Sequence, residues 1–108
     1  MIEGFEKNSL VIVNLVSPKE KFFGVLSALS PAGVTIRAIN LDSFDDWIHQ
    51  LARDDEPDLD LVTMFVPLFR VERIFLDEAA GAIKSYSQRF EEVVGKPVQD
   101  FLKLTPKA

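Results

Sequence analysis

Three apolar, β-branched runs lie between Leu10 and Leu41, and the connections between them are too short for anything but antiparallel pairing. Leu10 to Val16 (LVIVNLV) is the first, Lys21 to Ser30 (KFFGVLSALS) the second and Val34 to Leu41 (VTIRAINL) the third. β-Branched and aromatic residues favour the pleated strand over the helix. Parallel neighbours would need a crossover of about a dozen residues or more. The chain instead offers Ser17-Pro18-Lys19-Glu20 and Ser30-Pro31-Ala32-Gly33, short polar segments with proline and glycine where tight turns favour them. Gly24, inside the second run, predicts a bulge or a sharp bend.

The hydrophobic period then changes. Phe44, Trp47, Ile48 and Leu51 follow the i, i+3, i+4, i+7 pattern of one helical face, which predicts a helix over Ser43 to Arg53. Asp42 or Ser43 is placed to cap it, and Asp45 and Asp46 sit where the helix dipole favours negative charge. The acidic, proline-containing segment Asp54 to Asp60 ends it. Leu61 to Val66 returns to β character, Pro67 to Arg70 interrupts it, and Val71 to Asp77 reads as a last strand. Glu78 to Lys84 is rich in small residues and reads as a linker. A helix begins at Ser85 with Phe90, Val93 and Val94 on its apolar face; Gly95 stops it, and Pro97 opens a second short helix through Phe101 and Leu104.

This order predicts one domain spanning 1–108, mainly β with α additions. A five-stranded antiparallel barrel occupies 8–77, with a helical insertion at 43–53 between strands 3 and 4 and C-terminal helices at 85–104. Closure would hide the edges that a short sheet otherwise exposes. The absence of cysteine excludes disulfides, thiol nucleophiles and zinc thiolate sites. No apolar stretch is long enough for a membrane helix, and the N-terminal residues lack the pattern of a signal peptide. A cytoplasmic protein with no membrane association is the expectation.

Gly24-Val25-Leu26, Leu29, a turn, and then Val34-Thr35-Ile36-Arg37 resemble the first motif of Sm-like proteins. In that family a glycine on the bent second strand leads into a hairpin. Phe65-Val66-Pro67-Leu68-Phe69-Arg70-Val71-Glu72-Arg73-Ile74 is similar to the short 3₁₀ turn and last strand of Sm-like and SH3-type small barrels. The whole chain also resembles an uncharacterised bacterial family of Sm-like proteins. The resemblance implies the barrel and a ring-like homo-oligomer. It departs at the places that bind RNA in that family. The Asp and Asn positions around the hairpin turn fall at Ser30 and Val34, and the basic-then-glycine motif is replaced by Arg73 followed by Ile74.

Charge is unevenly distributed. Asp42 to Asp60 carries eight acidic residues and one basic residue, a formal −7, against −5 for the whole chain, so the remainder carries +2. Phosphate contacts need clustered Lys and Arg; Arg37, Arg70 and Arg73, with Lys19 and Lys21, are the residues that could form such a patch. His49, with Asp45 at i−4 and Asp46 at i−3, is the one combination spaced for a metal on a helical edge. The same spacing describes an ordinary solvated helix face. Asp54 to Asp60 lacks the glycine and terminal glutamate of a calcium loop. With one histidine and no Gly-x-Ser-x-Gly turn, a catalytic triad has no support.

Aromatic residues form the last set. Phe22, Phe23, Trp47, Phe65 and Phe69 exceed what a small barrel can enclose on both faces of its strands, so some are expected at a subunit interface. These readings converge on a non-enzymatic homo-oligomer, a protein-interaction or scaffold module without cofactor. The alternatives are a divergent RNA- or nucleotide-binding protein contacting its ligand through Arg37, Arg70 and Arg73, and a small metal-dependent enzyme using Asp45, Asp46 and His49.

Overall fold

A computed structural model describes residues 3–53 and 59–102. Strands β1 (Leu10–Leu15), β2 (Glu20–Ser30) and β3 (Gly33–Asn40) form two successive hairpins. A 3₁₀ turn (Leu41–Ser43) leads into α1 (Phe44–Ala52). β4 (Val62–Pro67) and β5 (Val71–Leu76) are joined by a second 3₁₀ turn (Leu68–Arg70), and α2 (Tyr86–Val94) precedes a third (Val98–Phe101). All pairings are antiparallel, and the strands lie in the order β4-β3-β2-β1-β5. Asp54 to Asp58 of the acidic segment, and Leu104, lie outside the described residues.

The sheet has two faces because side chains alternate along each strand. Val11, Val13, Leu15, Leu26, Val34, Ile36, Ala38 and Val66 turn inward and form one buried cluster. The opposite face carries Phe23, Val25 and Ile39, which α1 and α2 cover with Phe44, Trp47, Ile48 and Phe90. Phe23 meets Phe44 edge-on at 5.6 Å between ring centres, and Trp47 lies 5.2 Å from Phe90. Both helices therefore pack on this chain's own sheet. Burying a large apolar side chain contributes about 1.5–3 kcal/mol, so this ring cluster is a main reason the tail docks.

The expected closed barrel is not what these pairings form. β4 pairs only with β3 and β5 only with β1, so among the described residues the sheet is open between its outer strands. Yet one 3₁₀ turn, which advances about 2 Å per residue, carries the chain from β4 to β5. Opposite edges can be linked so briefly only if the sheet is strongly curled, with its edges converging at Leu68–Arg70.

Three local expectations are revised. Gly24 is not the bulge. The register of β2 against β3 shifts between Leu26 and Ala28, leaving Ser27 as the extra residue. Gly24 instead allows close approach, since a Cβ there would lie 2.0 Å from the Arg37 carbonyl oxygen. Neither Asp42 nor Ser43 caps α1 through its side chain; Asn40 Oδ1 accepts from the Asp42 amide at 2.8 Å, capping the preceding 3₁₀ turn. The segment after β5 is also more ordered than a plain linker, with an Ala80–Ile83 bridge.

Candidate functional site

The open edges are where this fold leaves its strongest binding groups exposed. In an antiparallel ladder, backbone groups point alternately toward and away from a given neighbour. The Leu68 amide donates to Ala32 carbonyl at 3.0 Å in continuation of the β3–β4 register. Val66, Met64 and Val62 therefore point their backbone groups at β3, while those of Thr63 and Phe65 point outward. On the other side the Asp77 amide donates to Leu10 carbonyl at 2.9 Å. The same alternation directs Phe75 and Arg73 toward β1 and leaves Ile74 and Leu76 facing outward.

Pro67 sits at an outward-facing position of β4, where its missing N–H removes no ladder bond. It ends the free edge at the 3₁₀ turn. The apolar surface concentrates beside these edges. Phe69 is 83% exposed and Phe65 54%, with Val62 and Leu68 also exposed on the β4 side; Phe75 is 45% exposed on β5. Phe65 is opposite Thr35 and Phe75 opposite Ile12, which places both rings on the helix-bearing face of the sheet.

The five aromatics expected to supply an interface are thus divided. Phe23 and Trp47 are buried within the helix–sheet core, and Phe22 is partly buried against the inner cluster. Only Phe65 and Phe69 are substantially exposed. Alternation alone could not separate them, because β2 is apolar on both faces and the helices cover only one part of it.

The three arginines are not brought together. Arg70 serves the fold: its Nε donates to the Val16 carbonyl at 3.0 Å, and one terminal nitrogen donates to the Pro18 carbonyl at 2.7 Å and to Glu20 Oε1 at 3.1 Å. This clamps the β1–β2 turn to the end of the β4–β5 connection. Arg73 is exposed, 3.9 Å from Glu72, with its guanidinium 5.8 Å from the Phe75 ring centre. Arg37 lies three strands away on β3, roughly 14 Å across the sheet, and its Nε is buried without a hydrogen-bond partner. Lys21 stands opposite Asn14, which in turn stands opposite Arg73.

On α1, His49 Nδ1 lies 2.7 Å from the Asp45 backbone carbonyl, and the Asp45 carboxylate accepts from Arg89. Asp45, Asp46 and His49 therefore do not converge. Among the described residues no three histidine, cysteine or acidic side chains are grouped to hold a metal ion, and no helix is long and apolar enough to cross a membrane.

The site residue that the sequence concealed is Asp77. Its two carboxylate oxygens accept from the Tyr86 amide at 2.8 Å and the Ser87 amide at 3.0 Å, fixing the start of α2 to the end of β5. Ser85 and Gln88 complete a capping box there. Comparison with protein families, with curated proteins and with solved structures finds no match for this chain.

Proposed function

We propose that the chain is a non-catalytic, Sm-like small-barrel module that assembles with copies of itself and serves as a protein-interaction or scaffold unit. The observation that carries this reading is the pair of outer edges, β4 and β5, unpaired among the described residues and each bordered by exposed apolar side chains. Unpaired N–H and C=O rows are templates for strand addition. β4 of one copy adding to β5 of the next would satisfy Thr63 and Phe65 against Ile74 and Leu76. Added in parallel orientation, it would also set Phe65 of one copy beside Phe75 of its neighbour, since both rings lie on the helix-bearing face. Because the two edges differ, the contact is head-to-tail, and such contacts close into rings or continue as filaments.

The separation of Arg37 from Arg73 and the structural engagement of Arg70 give the nucleic-acid alternative no gathered patch. The assembly reading is tested at the edge itself. Thr63→Pro removes an outward N–H from an exposed position without breaking a ladder bond, and Thr63→Ala is its control. Native mass spectrometry should show the proline variant reduced to monomer and the alanine variant assembled, with matching circular dichroism. A folded proline variant with wild-type mass would overturn edge pairing.

A further inference from the structure

A second feature lies on the helix-bearing face, away from the β4 edge. Between β1, β5 and the start of α2 runs an open groove of about 490 Å³, within the roughly 300–1,000 Å³ typical of small-ligand sites. Ile12 and Phe75 form its floor, and Leu41, Ile83 and Tyr86 wall it. Ile83 is 74% exposed at the rim, held there by the Ala80–Ile83 bridge rather than folded into the core.

The charged residues along the groove are not equivalent. Asp77 is engaged with the α2 amides, and Lys84 is ion-paired with Glu92. At the opposite end Lys21 and Asn14 line the groove, and Arg73 continues their row onto β5 just outside the lining. Lys21 has no ion-pair partner among the described residues, and Arg73 holds a 3.9 Å contact with Glu72 and lies over the Phe75 ring. Glu78 lines the other end, beyond Asp77, which is itself roughly 13 Å from Arg73 along the extended strand. The groove thus joins an apolar trough to an end lined by Lys21, with Arg73 just beyond it, on a chain whose net charge is −5.

We infer that this groove binds a small amphiphilic carboxylate, its apolar body along Ile12, Phe75 and Tyr86 and its carboxylate at Lys21 and Arg73. Burial of the body supplies most of the affinity, and the cations set the sign of the head group that is accepted. The groove borders the β5 edge and shares Phe75 with the edge contact proposed above, while the backbone groups of Ile74 and Leu76 that would pair there point outward in the plane of the sheet.

The test is a nuclear magnetic resonance titration of the full isotope-labelled chain with decanoate, and in parallel with decyltrimethylammonium. Decanoate should give saturable shifts at Ile12, Lys21, Phe75, Ile83 and Tyr86, with a Kd on the order of 0.1–1 mM for a ligand of this size. The cationic amphiphile should bind less tightly, although the protein's net charge favours it. Lys21→Glu should weaken decanoate about tenfold and reverse the preference. Absence of saturable shifts, shifts centred on Phe65 and Phe69, or an unchanged preference in Lys21→Glu would each overturn the inference. Lys21 is exposed, so its replacement leaves folding intact, and Phe69→Ser serves as a variant that should not alter decanoate binding.

Discussion

Replacing Gly24 with alanine should destabilise the protein by about 2–3 kcal/mol, and the geometry fixes both sign and size. Gly24 and Ala38 face each other across β2 and β3 as a non-hydrogen-bonded pair, whose Cα atoms approach to roughly 4.5 Å. An alanine Cβ would lie 2.0 Å from the Arg37 carbonyl oxygen and 2.5 Å from Ala38 Cα, where ordinary contact begins at 3.4 Å. The obstacle is backbone, so no rotamer change relieves it. Moving β3 back by more than 1 Å stretches the neighbouring ladder bonds beyond useful length. Losing about two to four of them costs about 2–4 kcal/mol. Alanine restricts the unfolded chain and offsets about 0.4–1 kcal/mol of this.

Urea unfolding followed by circular dichroism should read the loss as a midpoint lowered by about 1–2 M, given slopes of about 1–3 kcal/mol/M. Adding Ala38→Gly removes only the Cβ contact at 2.7 Å and leaves the two closer ones. The double variant should therefore stay close to Gly24→Ala. A wild-type midpoint in Gly24→Ala, or full recovery in the double variant, would refute the close-approach argument.

Other perturbations follow from the same structure. Asp77→Ala leaves two amides of the first turn of α2 without their acceptor, and should cost about 1–2 kcal/mol, with faster hydrogen exchange at Tyr86 and Ser87 than elsewhere in α2. Arg70→Ala leaves the Val16 and Pro18 carbonyls without their donor and should cost about 1–3 kcal/mol in thermal unfolding. Arg70→Lys should recover little, because one ammonium cannot reproduce the planar fork. Oligonucleotide titrations of the wild type should show no salt-sensitive binding. A salt-sensitive shift that Arg37→Glu and Arg73→Glu abolish would instead favour the nucleic-acid reading.

Much of the fold was legible because the deciding information was local. The short connections at Pro18 and at Pro31–Ala32 leave only hairpins, and the spacing of Phe44, Trp47, Ile48 and Leu51 permits only a helix with one apolar face. Gly95, with φ of 85°, stops α2 where the sequence suggested. What was not legible depends on partners distant in the chain. Arg70 looks like a free surface cation in sequence, yet its partners are Val16, Pro18 and Glu20. Asp77 looks like the end of a strand, yet it caps a helix beginning nine residues later. Closure was expected but not found, for a related reason. It depends on whether β4 and β5 exchange backbone bonds across the curl, and backbone groups are common to every sequence. Hydrophobic alternation marks which face of β4 is buried, but it carries nothing about what lies in the plane beside it.

The central claim, that the open edges serve self-assembly, is tested most directly by the mass of the wild-type chain in solution. Sedimentation velocity across a micromolar concentration series should give one discrete assembly, several times the 12.2 kDa of the chain if the head-to-tail contact closes into a ring. A strict 12.2 kDa monomer throughout the series would contradict the account.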